Sequence, residues 1–77
     1  MRAYALIEIE PGADDVVSRI RSFSLQNCKL IAERLYPSEV IGHFEATELA
    51  DLNTALTELL SGVPAILRIT LLRISER

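Results

Sequence analysis

The sequence predicts an α+β domain of the order βαββαβ: one four-stranded antiparallel sheet with two helices on one face. Three observations carry this expectation. Four segments alternate apolar and polar residues with the two-residue period of a strand. Two others space their apolar residues by three and four, as a helix does. A Tyr36-Pro37-Ser38 turn joins the two middle strands directly, so they pair as a hairpin.

Residues 2–10 open the sheet. Ala5, Ile7 and Ile9 form an apolar face against Leu6, Glu8 and Glu10, with Tyr4 on the second face. Pro11-Gly12 ends the strand by removing a backbone donor and permitting a turn. A helix is expected over 13–23, with Val16, Val17, Ile20 and Phe23 inward. Asp14 and Asp15 fall at its N-terminus, where negative charge is favoured. Residues 27–36 alternate more weakly, in the manner of an edge strand. Cys28, Leu30 and Ala32 face one way; Lys29, Ile31, Glu33 and Leu35 face the other. Residues 39–46 set Val40, Gly42, Phe44 and Ala46 against Ile41, His43 and Glu45. A glycine inside a strand implies close approach of a neighbouring backbone or helix.

Thr47 reads as the cap of a second helix, with Glu48 and Asp51 in its first turn. Leu49, Leu52, Leu56, Leu59 and Leu60 form its apolar stripe. Gly62 stops it and Pro64 prevents its resumption. Residues 65–75 close the sheet. Strict alternation places Ile66, Arg68, Thr70, Leu72 and Ile74 on one face and Leu67, Ile69, Leu71 and Arg73 on the other, so both faces read as substantially apolar. Two strand–helix–strand units joined by a tight hairpin make the ferredoxin-like split arrangement.

A chain of 77 residues is one domain, 1–77, with a thin core, yet 49% of it is hydrophobic. A last strand apolar on both sides leaves large side chains on the face that the helices do not cover. Each forgoes about 1.5–3 kcal/mol if left in water. The expectation is therefore a homodimer whose open sheet faces stack, with larger homo-oligomers built from it. The net charge of −3 and the scattered Lys and Arg argue against direct nucleic-acid binding. One cysteine excludes an internal disulfide, and one cysteine with one histidine supplies too few ligands for a zinc site within a chain. No metal or cofactor is expected. No apolar run approaches the ~20 residues that span a bilayer. The N-terminal segment is broken by Glu8 and Glu10, unlike a signal peptide, so a cytoplasmic protein is expected.

Several strings resemble a known family. They are Arg2-Ala3-Tyr4-Ala5-Leu6-Ile7-Glu8-Ile9-Glu10-Pro11-Gly12, Phe44-Glu45-Ala46, Asp51-Leu52-Asn53 and Val63-Pro64-Ala65-Ile66. Together with the element order, the chain resembles the effector (RAM) domain of the Lrp/AsnC transcriptional regulators over essentially its whole length. The resemblance implies a stand-alone member without the helix-turn-helix half. It also implies dimerisation through the sheets, rings of dimers, an amino-acid-like effector held between dimers, and co-assembly with full-length regulators. The family's effector site uses a Gly-x-Tyr-Asp stretch at the central hairpin and threonines in the last strand. On this chain those positions carry Tyr36, Ser38 and Glu39, with Thr70 retained between Ile69 and Leu71, and Ala65 stands where the family has a glycine. The resemblance thus implies Ser38, Glu39 and Thr70 as ligand-binding residues. Tyr36 in place of glycine blocks close approach of a ligand to backbone amides.

Each of these residues has an ordinary structural role beside the functional one. Glu39 reads as an acceptor for a ligand ammonium or as a solvated carboxylate at a hairpin exit. Thr70 reads as a donor to a ligand carboxylate or as a residue suited to a strand. Ser38 suits a turn. Arg68 and Arg73 suit anion binding, but on opposite faces they do not converge on one ligand. His43 reads as a structural imidazole, and Cys28 as a small hydrophobe. No catalytic residue is expected. The alternative is a small dimeric α+β-barrel enzyme with His43, Glu45 and Tyr4 in a cavity between sheet and helices. A purely structural assembly module is a third reading.

Overall fold

A computed structural model of the chain describes residues 1–76. The elements are β1 (Arg2–Ile9), α1 (Val16–Ser22), β2 (Cys28–Tyr36), β3 (Glu39–Ala46), α2 (Leu49–Gly62) and β4 (Ile66–Ser75). The four strands lie in the order β2-β3-β1-β4, every neighbouring pair antiparallel. This order is compatible with the ferredoxin-like arrangement. β1 is central because it alternates with a fully buried face, Ala3, Ala5, Ile7 and Ile9. Those residues share one cluster with Val16, Val17 and Ile20 of α1 and Leu52 and Leu59 of α2. Both helices therefore cover the same face of the sheet. No polar or charged residue is buried among the described residues, so the core is held by apolar packing alone.

Local chemistry sets the element ends. α1 begins at Val16, later than the expected 13–23, because its first turn closes with the Arg19 amide donating to the Asp15 carbonyl at 3.1 Å. Residues 13–15 belong to the preceding turn, which Gly12 enters at φ +83°. Glu48, not Thr47, holds the N-cap position of α2, since the Leu52 amide donates to the Glu48 carbonyl at 3.1 Å. The inner stripe of α2 is Leu52, Ala55 and Leu59, whereas Leu49 and Leu60 are exposed. Gly42 does face the core, but what approaches it is side chains rather than backbone or helix. A Cβ there would lie 3.0 Å from Phe44 Cε1 and 3.1 Å from Ile7 Cδ1.

The largest correction concerns β4. Its pairing with β1 shifts register twice, between Tyr4 and Ala5 and between Glu8 and Ile9. Leu67 and Leu72 fall at the shifts and have no partner on β1. Each bulge inserts a residue and so reverses the alternation beyond it. Ile66, Ile69, Leu71 and Ile74 pair with the core-facing Ile9, Ile7, Ala5 and Ala3. Arg68, Thr70, Arg73 and Ser75 pair with Glu8, Leu6, Tyr4 and Arg2 on the other face. Strict alternation had split Arg68 from Arg73 and made both faces of β4 apolar. The bulges bring the two arginines to one face and keep β4's paired aliphatic residues on the helix side.

Candidate functional site

The face without helices is a ruled surface whose rows follow from the register. At one end Lys29, Glu45, Arg2 and Ser75 stand in line across β2, β3, β1 and β4. The next row is Ile31, His43, Tyr4 and Arg73. Then come Glu33, Ile41, Leu6 and Thr70, and last Tyr36, Glu39, Glu8 and Arg68. The two inner rows hold an apolar strip of Ile31, Tyr4, Ile41 and Leu6, with Ile31 62% and Tyr4 44% exposed. The outer rows hold most of the charge.

Two ion pairs fix those outer rows. Arg2 Nε lies 3.4 Å from Glu45 Oε1, and Arg68 Nε donates to Glu8 Oε2 at 2.6 Å. The Glu8 hydrogen bond, helped by its charge, holds the Arg68 proton more firmly than usual. Both pairs are solvent-exposed, so they set side-chain direction more than stability.

His43 occupies the centre. Its ring stacks on Tyr4 with centroids 4.6 Å apart and planes 9° from parallel. Its Nε2 is shielded from solvent and has no hydrogen-bond partner. A shielded polar atom without a partner costs free energy that a hydrogen bond or water would recover. His43, Tyr4 and Glu45 lie on the face away from the helices, not in a cavity between sheet and helices.

Glu39 and Thr70 also stand on this face, with β1 between them. Ser38 lies in the hairpin turn, where its carbonyl accepts from the Ile9 amide at 3.0 Å. Sharing a face is thus all that the fold of one chain gives Glu39 and Thr70, with Ser38 at the neighbouring turn. Beside the hairpin a concavity of about 590 Å³ is lined by Asp14, Arg34, Leu35, Tyr36 and Pro37, and the Tyr36 side chain stands exposed. Arg34 shapes it by donating to the Pro37 carbonyl at 2.7 Å. A second concavity, of about 530 Å³, lies at the other end of the sheet among Met1, Leu25, Cys28, Lys29, Glu45 and Thr47. Ser38, Glu39, His43 and Thr70 line neither.

Cys28 is half-buried there, and burial pushes its thiol pKa up, an effect that Asp51 adds to and a backbone hydrogen bond from Glu45 opposes. The thiolate is the nucleophile, so a raised pKa means less of it at any given pH near neutrality. Iodoacetamide at pH 8 is expected to alkylate Cys28 more slowly than free cysteine, the gap narrowing as pH rises. Faster alkylation than free cysteine would contradict this environment.

Among the described residues no group of three or more His, Cys, Asp or Glu could hold a metal ion. None of the described helices is long and apolar enough to cross a membrane. Sequence reasoning missed Arg73 as a neighbour of Tyr4 and Arg68 as the partner of Glu8. No protein-family model, curated protein or solved structure matches the chain.

Proposed function

We propose that this chain is a non-enzymatic effector-binding and assembly module that docks on a second copy of itself through the helix-free sheet face. What supports this most is the charge arrangement of that face. Arg2, Lys29, Arg68 and Arg73 balance Glu8, Glu33, Glu39 and Glu45, so the face is neutral around its apolar strip. The net charge of −3 then falls wholly on the rest of the molecule. Stacking this face on a second copy therefore brings no net like charge into contact. An apolar centre inside a rim of matched charge is the anatomy of a protein interface.

The resemblance to the Lrp/AsnC effector domain extends the proposal. An amino-acid-like ligand binds between dimers at the hairpin, where Glu39 receives its ammonium beside Ser38, and the module co-assembles with full-length regulators; Thr70, across β1 from Glu39, lies inside the docking face instead. The position of His43, Glu45 and Tyr4 on the helix-free face favours this over the enzyme alternative. Thermal denaturation with each common amino acid tests sensing. A ligand at one hundred times its Kd adds about 2.7 kcal/mol, a rise of roughly 10 °C or more for a domain this small. No rise with any of them would remove the sensing half and leave assembly as the function.

A further inference from the structure

We infer that His43 makes the docking of two copies pH-sensitive, assembly being favoured while its imidazole is neutral and opposed when it is protonated. This rests on the self-docking proposed above and adds its regulation. The geometry carries it. His43 sits in the middle of the helix-free face, its ring stacked on Tyr4 at 4.6 Å, with Nε2 already shielded and unpartnered in the single chain. A second copy laid over this face removes the remaining water. An imidazolium there would be a charge without a paired anion, and burying an unpaired charge is costly.

The residues directly across from it offer no anion. On β2 its direct neighbour is Ile31, with Lys29 and Glu33 one step away. On β1 it meets Tyr4, with Arg2 one step away, and beyond Tyr4 stands Arg73 of β4. On its own strand Glu45 lies two residues on and is engaged by Arg2 at 3.4 Å; Glu39 lies four residues back. With Arg2 and Glu45 engaged with each other, Lys29 and Arg73 stand around it against Glu33 and the more distant Glu39, so no carboxylate is its direct neighbour across either strand.

Each docked pair carries two copies of His43, so excluding a proton from each makes association weaken as pH falls, by at most about 100-fold per pH unit. Sedimentation equilibrium of the intact chain at pH 7.5 and 5.5 reads this directly, beside His43→Phe, which keeps a ring on Tyr4 and removes the titration. The expected result is a dimer constant weakened 10- to 100-fold at pH 5.5 in the native chain and less than 3-fold in His43→Phe. His43→Gln, neutral and still able to hydrogen-bond, is expected to behave like His43→Phe. Equal weakening in all three would assign the effect to the carboxylates and overturn the inference. A dimer of unchanged affinity at both pH values would overturn the inference alone. A monomer at both pH values would overturn the self-docking as well.

Discussion

Phe44→Ala is expected to lower the unfolding free energy by about 3–5 kcal/mol, the largest loss of any single truncation in this chain. Phe44 is the largest fully buried side chain, at 0% exposure, and its ring closes over Gly42 in the centre of β3. Removing it deletes apolar contact and leaves a cavity that Ile7 and Leu30 fill only in part. A domain of 77 residues has roughly 4–12 kcal/mol in total. The variant is therefore near the edge of folding. Urea denaturation at a fixed protein concentration, with far-ultraviolet circular dichroism as readout, measures the loss. A loss under about 1 kcal/mol would contradict the packing around β3.

Leu6→Glu is expected to leave the fold standing and split the assembly. Leu6 is half-buried in the middle of the helix-free face, between Ile41 of β3 and Thr70 of β4. Within one chain a glutamate there is solvated, so the domain loses only the modest cost of a poorer strand residue, under about 1 kcal/mol. Across a docked pair two such carboxylates enter the apolar centre. Disruption of a central contact costs about 2–4 kcal/mol, a weakening of at least ~30-fold. Unchanged dimer affinity in Leu6→Glu would exclude this face as the interface.

Much of the fold is legible in the sequence because β1, β3 and the inner side of α2 obey their periods without interruption. Ala3, Ala5, Ile7 and Ile9 alternate cleanly, and so do Val40, Gly42, Phe44 and Ala46. β4 is not legible by period alone, because a bulge changes the count without leaving a glycine or proline to mark it. A physical signal was nonetheless present. Arg68 and Arg73 are five apart, so strict alternation sends one of them into an apolar core. A buried arginine without a partner is rare, and keeping both in water requires an extra residue between them. Leu71-Leu72 is where it falls. Α2 misled for a different reason. Five leucines suggested five core positions, but one helix face is narrower than that, and Ala55 takes an inner place while Leu49 and Leu60 stay exposed.

The candidate site is the least legible feature. The alternation that first suggested dimerisation does not hold for the paired residues of β4, although Leu67 and Leu72 stay 59% and 58% exposed at the bulges. The case for a second copy moves instead to Tyr4, Leu6, Ile31 and Ile41 within balanced charge. That balance depends on Arg68 and Arg73 sharing a face, which only the register reveals. The stacking of His43 on Tyr4 follows from a Tyr4–His43 pairing across β1 and β3, again a matter of register.

Sedimentation equilibrium at micromolar concentration and pH 7.5 tests the central claim most directly. The expected particle has at least twice the 8.6 kDa mass of one chain. A particle of 8.6 kDa across that range would contradict it, leaving the strip of Tyr4, Leu6, Ile31 and Ile41 in water and the helix-free face without a partner.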